Sequence, residues 1–264
     1  MYTSNDHTFV ICAYKENSYL EQTIKSILNQ SIKPNILIST ATPNEFISNL
    51  AEKYQIPLYV NRGKASIADD WNFGYNQANT KLVTIVHQDD YYEKDYLKNI
   101  LYFLNKSNNM IIAFSDYYEI RNGRRCNNNL LLVIKRIMNF GFRIPCLQAS
   151  KKYRRMILAI GNPIDCPSVV FNKELLRENP FDTKYRNSCD YMTWVKFSSM
   201  NGRYIYIPRK LMGHRIYNES ETTRNIGNNV RRKEDLEIRS LLMPFIVAKF
   251  INKIYVLSEK SNNI

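Results

Sequence analysis

Short apolar runs alternate with longer segments of helical periodicity in the first part of the chain. One such segment places its apolar residues on one helix face, namely Leu20, Ile24, Ile27 and Leu28. The pattern predicts strands over residues 8–13, 35–40, 57–60, 81–86 and 110–115, with helices between them that include 67–78 and 95–104. Strands joined by helices of this length form βαβ units. We therefore predict an α/β fold with a mixed, mostly parallel sheet flanked by helices.

The pattern changes after residue 116. Asn122-Gly123 predicts a hairpin turn at the end of a strand over 117–121. Further helices are predicted over 130–140, over 151–160 and from near Asp190, and further strands over 168–171 and 203–207, the last ending at Pro208. The tail over 228–257 mixes basic and apolar residues and is predicted to form a helical C-terminal extension.

Composition narrows the class of protein. Lys and Arg number 37 against 24 Asp and Glu, a formal charge of +13 that favours polyanionic partners. The chain lacks a helix-turn-helix, zinc-finger or RNP-like pattern, so we expect no nucleic-acid partner. Residues 1–8 are polar and the longest apolar run is 130–134, which predicts neither secretion nor a membrane span. Five cysteines without a C-x-x-C pair fit reduced thiols in the cytoplasm.

Candidate chemistry follows the strands, because ligands bind at the carboxyl edge of such sheets. Two adjacent acids, Asp89 and Asp90, come directly after the apolar strand over 81–86. Neighbouring carboxylates repel each other unless a cation compensates, and their hard oxygens suit Mg²⁺ or Mn²⁺. The alternative is that one of the two acids merely caps the following helix.

Several ordered motifs together resemble glycosyltransferase family 2. An N-terminal strand leads into Tyr14 and then Tyr19-Leu20, and the helical segment over 20–30 follows the pattern Leu-x-x-x-Ile-x-Ser-Ile-Leu-x-Gln. Asn72 and Gly74 then precede the strand that carries the two acids. The resemblance extends over about residues 7–225 and implies a GT-A fold, which is Rossmann-like, and an inverting glycosyltransferase.

The resemblance also implies roles for individual residues. The nucleotide would contact Ala13, Tyr14, Glu16, Ser39, Thr40, Asn72 and Asp89. A divalent cation, Mn²⁺ or Mg²⁺, would bind Asp89, Asp90 and His214, and Arg215 would pair with donor phosphate. His214 has a purely structural alternative.

Asp190 matches the acidic position of the family's general base, which takes the proton from the acceptor hydroxyl. Its alternative role is a helix N-cap. The chain departs from the family pattern at four places. His87 replaces the first acid of the metal motif, Trp71 replaces an Arg and Cys189 replaces a Glu. Residues 38–41 lack the Asp that holds uracil in relatives, although their hydroxyls can still bond a base.

These features predict a GT-A domain over 1–225, with a nucleotide-binding half over 1–118 and an acceptor half over 119–225, and a basic-apolar tail over 226–264. The predicted enzyme is an inverting hexosyltransferase of cell-surface glycan or polysaccharide synthesis. Its donor is a nucleotide-diphosphate sugar, with UDP-sugar favoured, and its acceptor is a glycan or a lipid-linked oligosaccharide. We expect it in the cytoplasm, peripheral on the inner face of the cell membrane.

Three alternatives stay open from the sequence. A GT-A-like protein could bind a sugar or nucleotide without catalysis, since several motif positions deviate. A nucleotidyltransferase shares the layout, although residues 13–18 contain no Gly for a glycine-rich nucleotide loop. The basic-apolar helices either meet an anionic membrane surface or pack on the core as ordinary solvated helices.

Overall fold

The structure, a computed structural model, describes residues 1–217 and 229–260. The strands within these residues are β1 (His7–Ala13), β2 (Asn35–Thr40), β3 (Leu58–Val60), β4 (Leu82–His87), β5 (Tyr91–Tyr92), β6 (Met110–Arg121), β7 (Arg124–Cys126), β8 (Val169–Asn172) and β9 (Arg203–Ile216). The helices are α1 (Leu20–Leu28), α2 (Glu45–Lys53), α3 (Ile67–Gln77), α4 (Tyr96–Leu104), α5 (Leu130–Asn139), α6 (Pro145–Ala149), α7 (Lys151–Ile160), α8 (Lys173–Leu176), α9 (Cys189–Ser198), α10 (Asn229–Ser240) and α11 (Phe245–Lys260). In this described part, no helix combines the length and the apolar composition needed to cross a bilayer.

All the strands join one sheet in the order β3-β2-β1-β4-β8-β6-β9-β5, with β7 paired to β6. Strands β1 to β4, β6 and β9 run in one direction, whereas β5, β7 and β8 run against their neighbours. The predicted mixed, mostly parallel α/β sheet is confirmed. Because six strands share a direction, their carboxyl ends meet at one edge of the sheet.

Both faces of the sheet are covered by apolar packing. Phe9 and Ile11 of β1 belong to one buried cluster and Val10 to another, as the alternation of side chains along a strand requires. Helix α1 packs Leu20, Ile24 and Ile27 into the first cluster. Leu28, predicted on the same buried face, is instead exposed.

Polar caps define where several helices begin. A side-chain oxygen accepts a hydrogen bond from a backbone amide of the first turn at Asn44 of α2, Ser66 of α3, Asn129 of α5 and Ser150 of α7. Each such cap contributes about 1 kcal/mol by satisfying an amide that the helix itself cannot. The capped ends of α3, α5 and α7 coincide with the predicted starts of these helices at residues 67, 130 and 151.

The hairpin predicted at Asn122-Gly123 is confirmed. Both residues have positive φ, 49° and 74°, and Arg121 pairs with Arg124 across the turn. The strand that enters the hairpin is longer than predicted, because β6 continues without a break from Met110 to Arg121.

The prediction that a strand ends at Pro208 is wrong. β9 continues to Ile216, and its register against β6 shifts where Ser115 pairs with Ile207 but Asp116 pairs with Lys210. The extra residues form a bulge, which accommodates a proline that cannot donate to the ladder. The bulge carries the strand onward to His214.

The predicted helical tail consists of two helices separated at residues 241–244. Pro244, just before α11, lacks the amide needed to continue α10 as one helix. Helix α10 packs against the rest of the protein, since Ile238 is fully buried in a core cluster. The carboxylate of Glu234 accepts hydrogen bonds from the backbone amides of residues 186–188, at 2.8 to 2.9 Å. Helix α10 therefore supports the loop that leads into α9.

Candidate active site

The turn after β1 lies beside the loop after β4 at the carboxyl edge of the sheet. Gln88 ties the two together, since its side-chain oxygen accepts from the amide of Tyr14 at 2.9 Å and its side-chain nitrogen donates to the carbonyl of Tyr14 at 3.0 Å. The amide of Lys15, which has a positive φ of 54°, donates to Oγ1 of Thr42 at 2.6 Å. The side chains of Tyr14 and Glu16 are exposed beside buried Ala13. The turn is thus held by its backbone and leaves these two side chains free to face a ligand.

Three of the residues predicted to contact the nucleotide are buried and make contacts within the protein. Ser39 faces α3, where a Cβ added to Gly74 would lie 2.5 Å from its Oγ. Oγ1 of Thr40 accepts from the amide of Thr42 at 3.0 Å. The side chain of Asn72 forms two hydrogen bonds with the backbone of Phe181. It donates to the carbonyl at 2.8 Å and accepts from the amide at 2.9 Å. Asn72 also lines an open cavity of about 600 Å³ between α3 and residues 179–183.

The acid pair diverges into two environments. Asp90 is fully buried, and its Oδ1 accepts from the ring of His214 and from the amide of Arg215, both at 3.1 Å. The side chain of Asp89 instead accepts from the hydroxyl of Tyr217 at 2.8 Å. The predicted metal residues Asp90 and His214 are therefore adjacent, while Asp89 points to a different partner.

His87 completes a compact set of donors with Asp90 and His214. One ligand atom from each of the three residues lies within 4.8 Å of the others. Within the described residues, Oδ2 of Asp90 and Nε2 of His87 are buried and lack a hydrogen-bond partner. Buried polar atoms of this kind are rare in proteins and call for an explanation such as a bound ion.

The ionisable groups of this cluster change one another's pKa values. Burial alone would lower the pKa of His214, but the charges of Asp90 and Asp165 outweigh it and raise the pKa to about 10. Burial alone would raise the pKa of Asp90, but the charge and hydrogen bond of His214 lower it. The pKa of Asp89 is raised by burial and by the neighbouring Asp90. Without a cation, the imidazolium of His214 is the positive charge that balances Asp90.

Arg215, predicted to meet donor phosphate, joins β9 to α1 and to the loop after β4. Its Nε donates to the carbonyl of Asp89 at 2.9 Å and its Nη2 to Gln22 at 3.2 Å, and its guanidinium lies 4.0 Å from the ring centre of Tyr19. The side chain is buried. These contacts hold Arg215 in place beside Asp89 and Asp90.

Asp190 lies in the first turn of α9, whose N-cap is Ser188. The side chain of Asn162 donates to Oδ2 of Asp190 at 2.9 Å. Burial raises the pKa of Asp190, and the charge of Arg231 and the amide of Tyr191 oppose that shift. Its carboxylate thus has a raised pKa while still being held in a defined orientation.

The sequence alone predicted no individual role for two charged residues, Asp165 and Lys135. Burial raises the pKa of Asp165, and the charges of His214 and Lys135 oppose this from two sides. Nζ of Lys135 donates to the hydroxyl of Tyr117 at 2.8 Å. Burial lowers the pKa of Lys135, and the charges of Asp165 and Asp190 oppose that shift without reversing it. Oδ2 of Asp165 is another buried atom for which the described residues provide no hydrogen-bond partner. The charge of Asp165 therefore acts on the pKa of both His214 and Lys135, and the charge of Asp190 acts on that of Lys135.

The sequence signals for the individual roles of these residues were weak. His87 precedes Asp90 by three positions, and Asp165 lies in the polar stretch between α7 and β8. Arg231 on α10 carries a charge that acts on both Asp190 and Lys135. No local spacing connects α5, α10 and the loop before β8, because only the tertiary fold brings them together.

A family model described as Glycosyl transferase family 2 matches residues 8–163, more than half of the chain. The chain belongs to this family. A relative from Haemophilus influenzae, described as an uncharacterized glycosyltransferase, is 22% identical over 237 residues, which cover 85% of this chain and 70% of the relative.

Solved structures share the fold of this family 2 glycosyltransferase. S. aureus TarS 1–349 in complex with UDP-GlcNAc has a TM-score of 0.63 at 15% identity, covering 94% of this chain and 70% of that one. The mannosyltransferase PcManGT from Pyrobaculum calidifontis in complex with GDP-Man and Mn²⁺ has a TM-score of 0.59 at 15% identity, covering 98% and 76%. The chain spans 65% of another TarS 1–349 structure and 42% of a longer TarS chain. The predicted family, the GT-A-like fold and the assignment as a glycosyltransferase are confirmed.

Proposed function

We propose that this glycosyltransferase transfers a sugar from a nucleotide-diphosphate donor, a UDP-sugar, to an acceptor hydroxyl with inversion at the anomeric carbon. The observation that carries the proposal is the cluster of His87, Asp90 and His214, in which one ligand atom from each residue lies within 4.8 Å of the others. This cluster suits a divalent cation and a diphosphate. Asp190, whose carboxylate accepts a hydrogen bond from Asn162, supplies a separate base.

The donor would occupy the carboxyl edge of the parallel strands, within residues 1–118. The exposed side chains of Tyr14 and Glu16 are available to a base and ribose there, beside Ala13. Two structural neighbours were solved with UDP-GlcNAc and with GDP-Man, which supports a nucleotide sugar without choosing the base. Ser39, Thr40 and Asn72 would then act by holding the walls of the site, given their contacts within the protein.

A divalent cation fits the donor atoms of His87, Asp90 and His214, because one ligand atom from each residue lies within 4.8 Å of the others and buried Oδ2 of Asp90 accepts no hydrogen bond within the described residues. Imidazole nitrogen combined with carboxylate oxygen favours Mn²⁺ over Mg²⁺, which prefers oxygen ligands alone. Asp89, next in the chain to Asp90, would face the same cation or the nucleotide ribose. A cation bound here would offset the negative charge that develops on the departing diphosphate.

Asp190 is the base of the proposed reaction. The acceptor oxygen attacks the anomeric carbon as the bond from that carbon to the diphosphate oxygen breaks, and the hydroxyl proton passes to Asp190. The raised pKa of Asp190 makes its carboxylate a stronger base than an exposed aspartate. Asn162 holds the accepting carboxylate at 2.9 Å. The leaving group is the nucleoside diphosphate.

The acceptor half would be residues 119–225, with α10 of the tail supporting the loop before Asp190. A growing cell-surface glycan, free or carried on lipid, is the proposed acceptor, at the cytoplasmic side of the membrane. The formal charge of +13 supports a polyanionic environment for the enzyme.

The test is a panel of UDP-, GDP- and dTDP-sugars with and without Mn²⁺, measured by thermal stabilisation of the protein and by nucleotide release. We expect UDP-sugars with Mn²⁺ to give the largest shift and to release UDP. Release of pyrophosphate would identify a nucleotidyltransferase instead. Binding without release from any donor, even with acceptor mixtures, would point to a sugar-binding protein and overturn the proposal.

A further inference from the structure

Helix α5 has two faces with opposite roles. Leu132 and Met138 are buried, and Lys135 reaches inward to Tyr117 within the charged groups of the site. The other face leaves apolar side chains in solvent. With the segment that follows the helix, the exposed set is Leu130, Val133, Ile134, Ile137, Phe140 and Ile144, of which Ile137 is 69% exposed. Apolar side chains that are exposed in a row mark an interaction surface rather than an ordinary solvated helix.

Basic side chains lie at the C-terminal end of this apolar set. The guanidinium of Arg143 lies 5.0 Å from the ring centre of Phe140. The rings of Phe142 and Tyr153 pack at 5.1 Å between centroids, which places the start of α7 beside this segment. Lys151 and Lys152, at that start, are both exposed. Hydrophobic residues edged by cations are the composition of helices that lie in the headgroup region of anionic bilayers.

We infer that α5 and the segment up to Ile144 dock on the surface of an anionic lipid bilayer. The apolar side chains would enter the boundary between headgroups and acyl chains, and Arg143, Lys151 and Lys152 would pair with lipid phosphates. A bilayer is favoured over a protein partner because the apolar row is edged by positive charge, and the whole chain carries +13. Docking at this face differs from spanning, for which no described helix qualifies.

The geometry would bring the bilayer close to the proposed reaction. An α-helix with its side chains is about 10 Å across, and Lys135 lies on the inner side of the helix whose outer side meets lipid. An acceptor carried on a lipid would therefore be held on the side of the protein where α5 lies. This last step rests on the proposed function, whereas membrane docking itself does not.

The experiment is co-sedimentation of the full chain with vesicles of neutral phosphatidylcholine and with vesicles that also contain phosphatidylglycerol. We expect binding to the anionic vesicles only, weakened by salt, and at least tenfold weaker for Ile137→Ser/Phe140→Ser. The matched control is Leu28→Ser, which removes an exposed aliphatic side chain from α1 and should bind as the wild type does. Equal vesicle binding by Ile137→Ser/Phe140→Ser and the wild type would overturn the inference.

Two further measurements separate the other outcomes. Light scattering after size exclusion reports whether the double variant turns a dimer into a monomer, which would show that a second copy covers this face and would overturn the inference. Donor hydrolysis is measured on the same samples. Loss of vesicle binding with unchanged hydrolysis supports the docking surface, whereas vesicle binding by a protein that turns over no donor rejects the proposed function alone. Turnover by a wild-type protein that binds neither vesicle rejects the docking surface alone.

Discussion

The ring nitrogen Nδ1 of His214 lies 3.1 Å from Oδ1 of Asp90, although 124 residues separate them in the chain. The contact closes the far end of β9 onto the loop after β4, and the neighbouring amide of Arg215 reinforces it. It thereby joins the loop after the parallel strand β4 to β9, the last long strand of the sheet. The cluster that could hold a metal therefore exists only when the whole sheet is assembled.

Replacing His214 tests the proposed cation site. His214→Ala removes one of three donors, and we expect Mn²⁺ affinity in the presence of UDP to fall at least about tenfold. Isothermal titration calorimetry of Mn²⁺ into the protein measures it. Asp95→Asn is the control, because it replaces an exposed acid and leaves the three donors in place. Unchanged affinity in His214→Ala would place the ion elsewhere.

Replacing Asp190 tests the general base. Asp190→Asn keeps the shape and the contact with Asn162 but cannot accept a proton, so we expect kcat to fall by about 10²- to 10⁴-fold with the donor KM nearly unchanged. Steady-state nucleotide release with acceptor measures both quantities. Asp95→Asn, at an exposed position before α4, is the matched control. Near-normal turnover in Asp190→Asn would require another base.

The acidic limb of the rate profile tests the electrostatics of Asp190. Only the deprotonated base is active, so the rate rises with pH through its pKa, and burial moves that limb above the ordinary value of 3.8. The hydrogen bond from Asn162 stabilises the charged form. Asn162→Ala should therefore shift the limb of log kcat/KM to higher pH. A shift to lower pH would contradict the assignment.

Burial of His7 predicts a pH dependence of stability. Its ring is fully buried, with Nε2 bonded to Thr84 at 2.9 Å, and burial lowers its pKa to about 3 from 6.5. As the pH falls, the unfolded chain binds the proton before the folded chain does. The stability that neutral His7 contributes is therefore complete above pH 6.5 and is lost as the pH falls toward 3. From pH 7.5 to 5.5 the loss is about 1.4 kcal/mol.

The measurement is the free energy of unfolding in urea for the wild type and for His7→Gln at both pH values. Other titrating groups cancel in the difference between the two proteins. We expect that difference to move by about 1.4 kcal/mol in favour of the variant at pH 5.5. A pH-independent difference would show that His7 has the same pKa in the folded and the unfolded chain.

Gly74 tests the packing of α3 on the sheet. A Cβ there would lie 2.5 Å from Oγ of Ser39 and 2.7 Å from a methyl carbon of Val10. We expect Gly74→Ala to destabilise the protein by about 1–3 kcal/mol, despite the higher helix propensity of Ala. Denaturant unfolding measures it, and Ser39→Ala in the same chain should recover part of the loss. Gly63→Ala, where a Cβ meets only Asn61 at 3.2 Å, is the control.

The local elements of the fold could be predicted because their signals are local. The strand over 35–40 and the helix over 151–160 match the structure residue for residue, and Asn122-Gly123 turns as its sequence requires. Pro208 misled the prediction, because a proline usually ends a strand but a bulge absorbs this one. The tail pattern did not reveal that α10 packs on the loop before α9.

The site was only partly predictable for a physical reason. Motif residues that follow β1 and β4 could be assigned to the sheet edge from chain order alone. Asp165 and Lys135 have no such motif, and their proximity to His214 and Asp190 depends on how α5 and the loop before β8 fold over the sheet. His87 could have been found, since an imidazole three residues before a buried acid is itself a ligand candidate.

The bulge in β9 changes which side chain faces the acid loop. Along an unbroken ladder from the pair Ser115 and Ile207, the residue opposite Glu119 would be Leu211; in the protein it is His214. The three additional residues shift the register by an odd number, so the imidazole of His214 takes the position that the apolar side chain of Leu211 would have had. The bulge beside Pro208 thus places a ring nitrogen where regular pairing would have placed an aliphatic side chain.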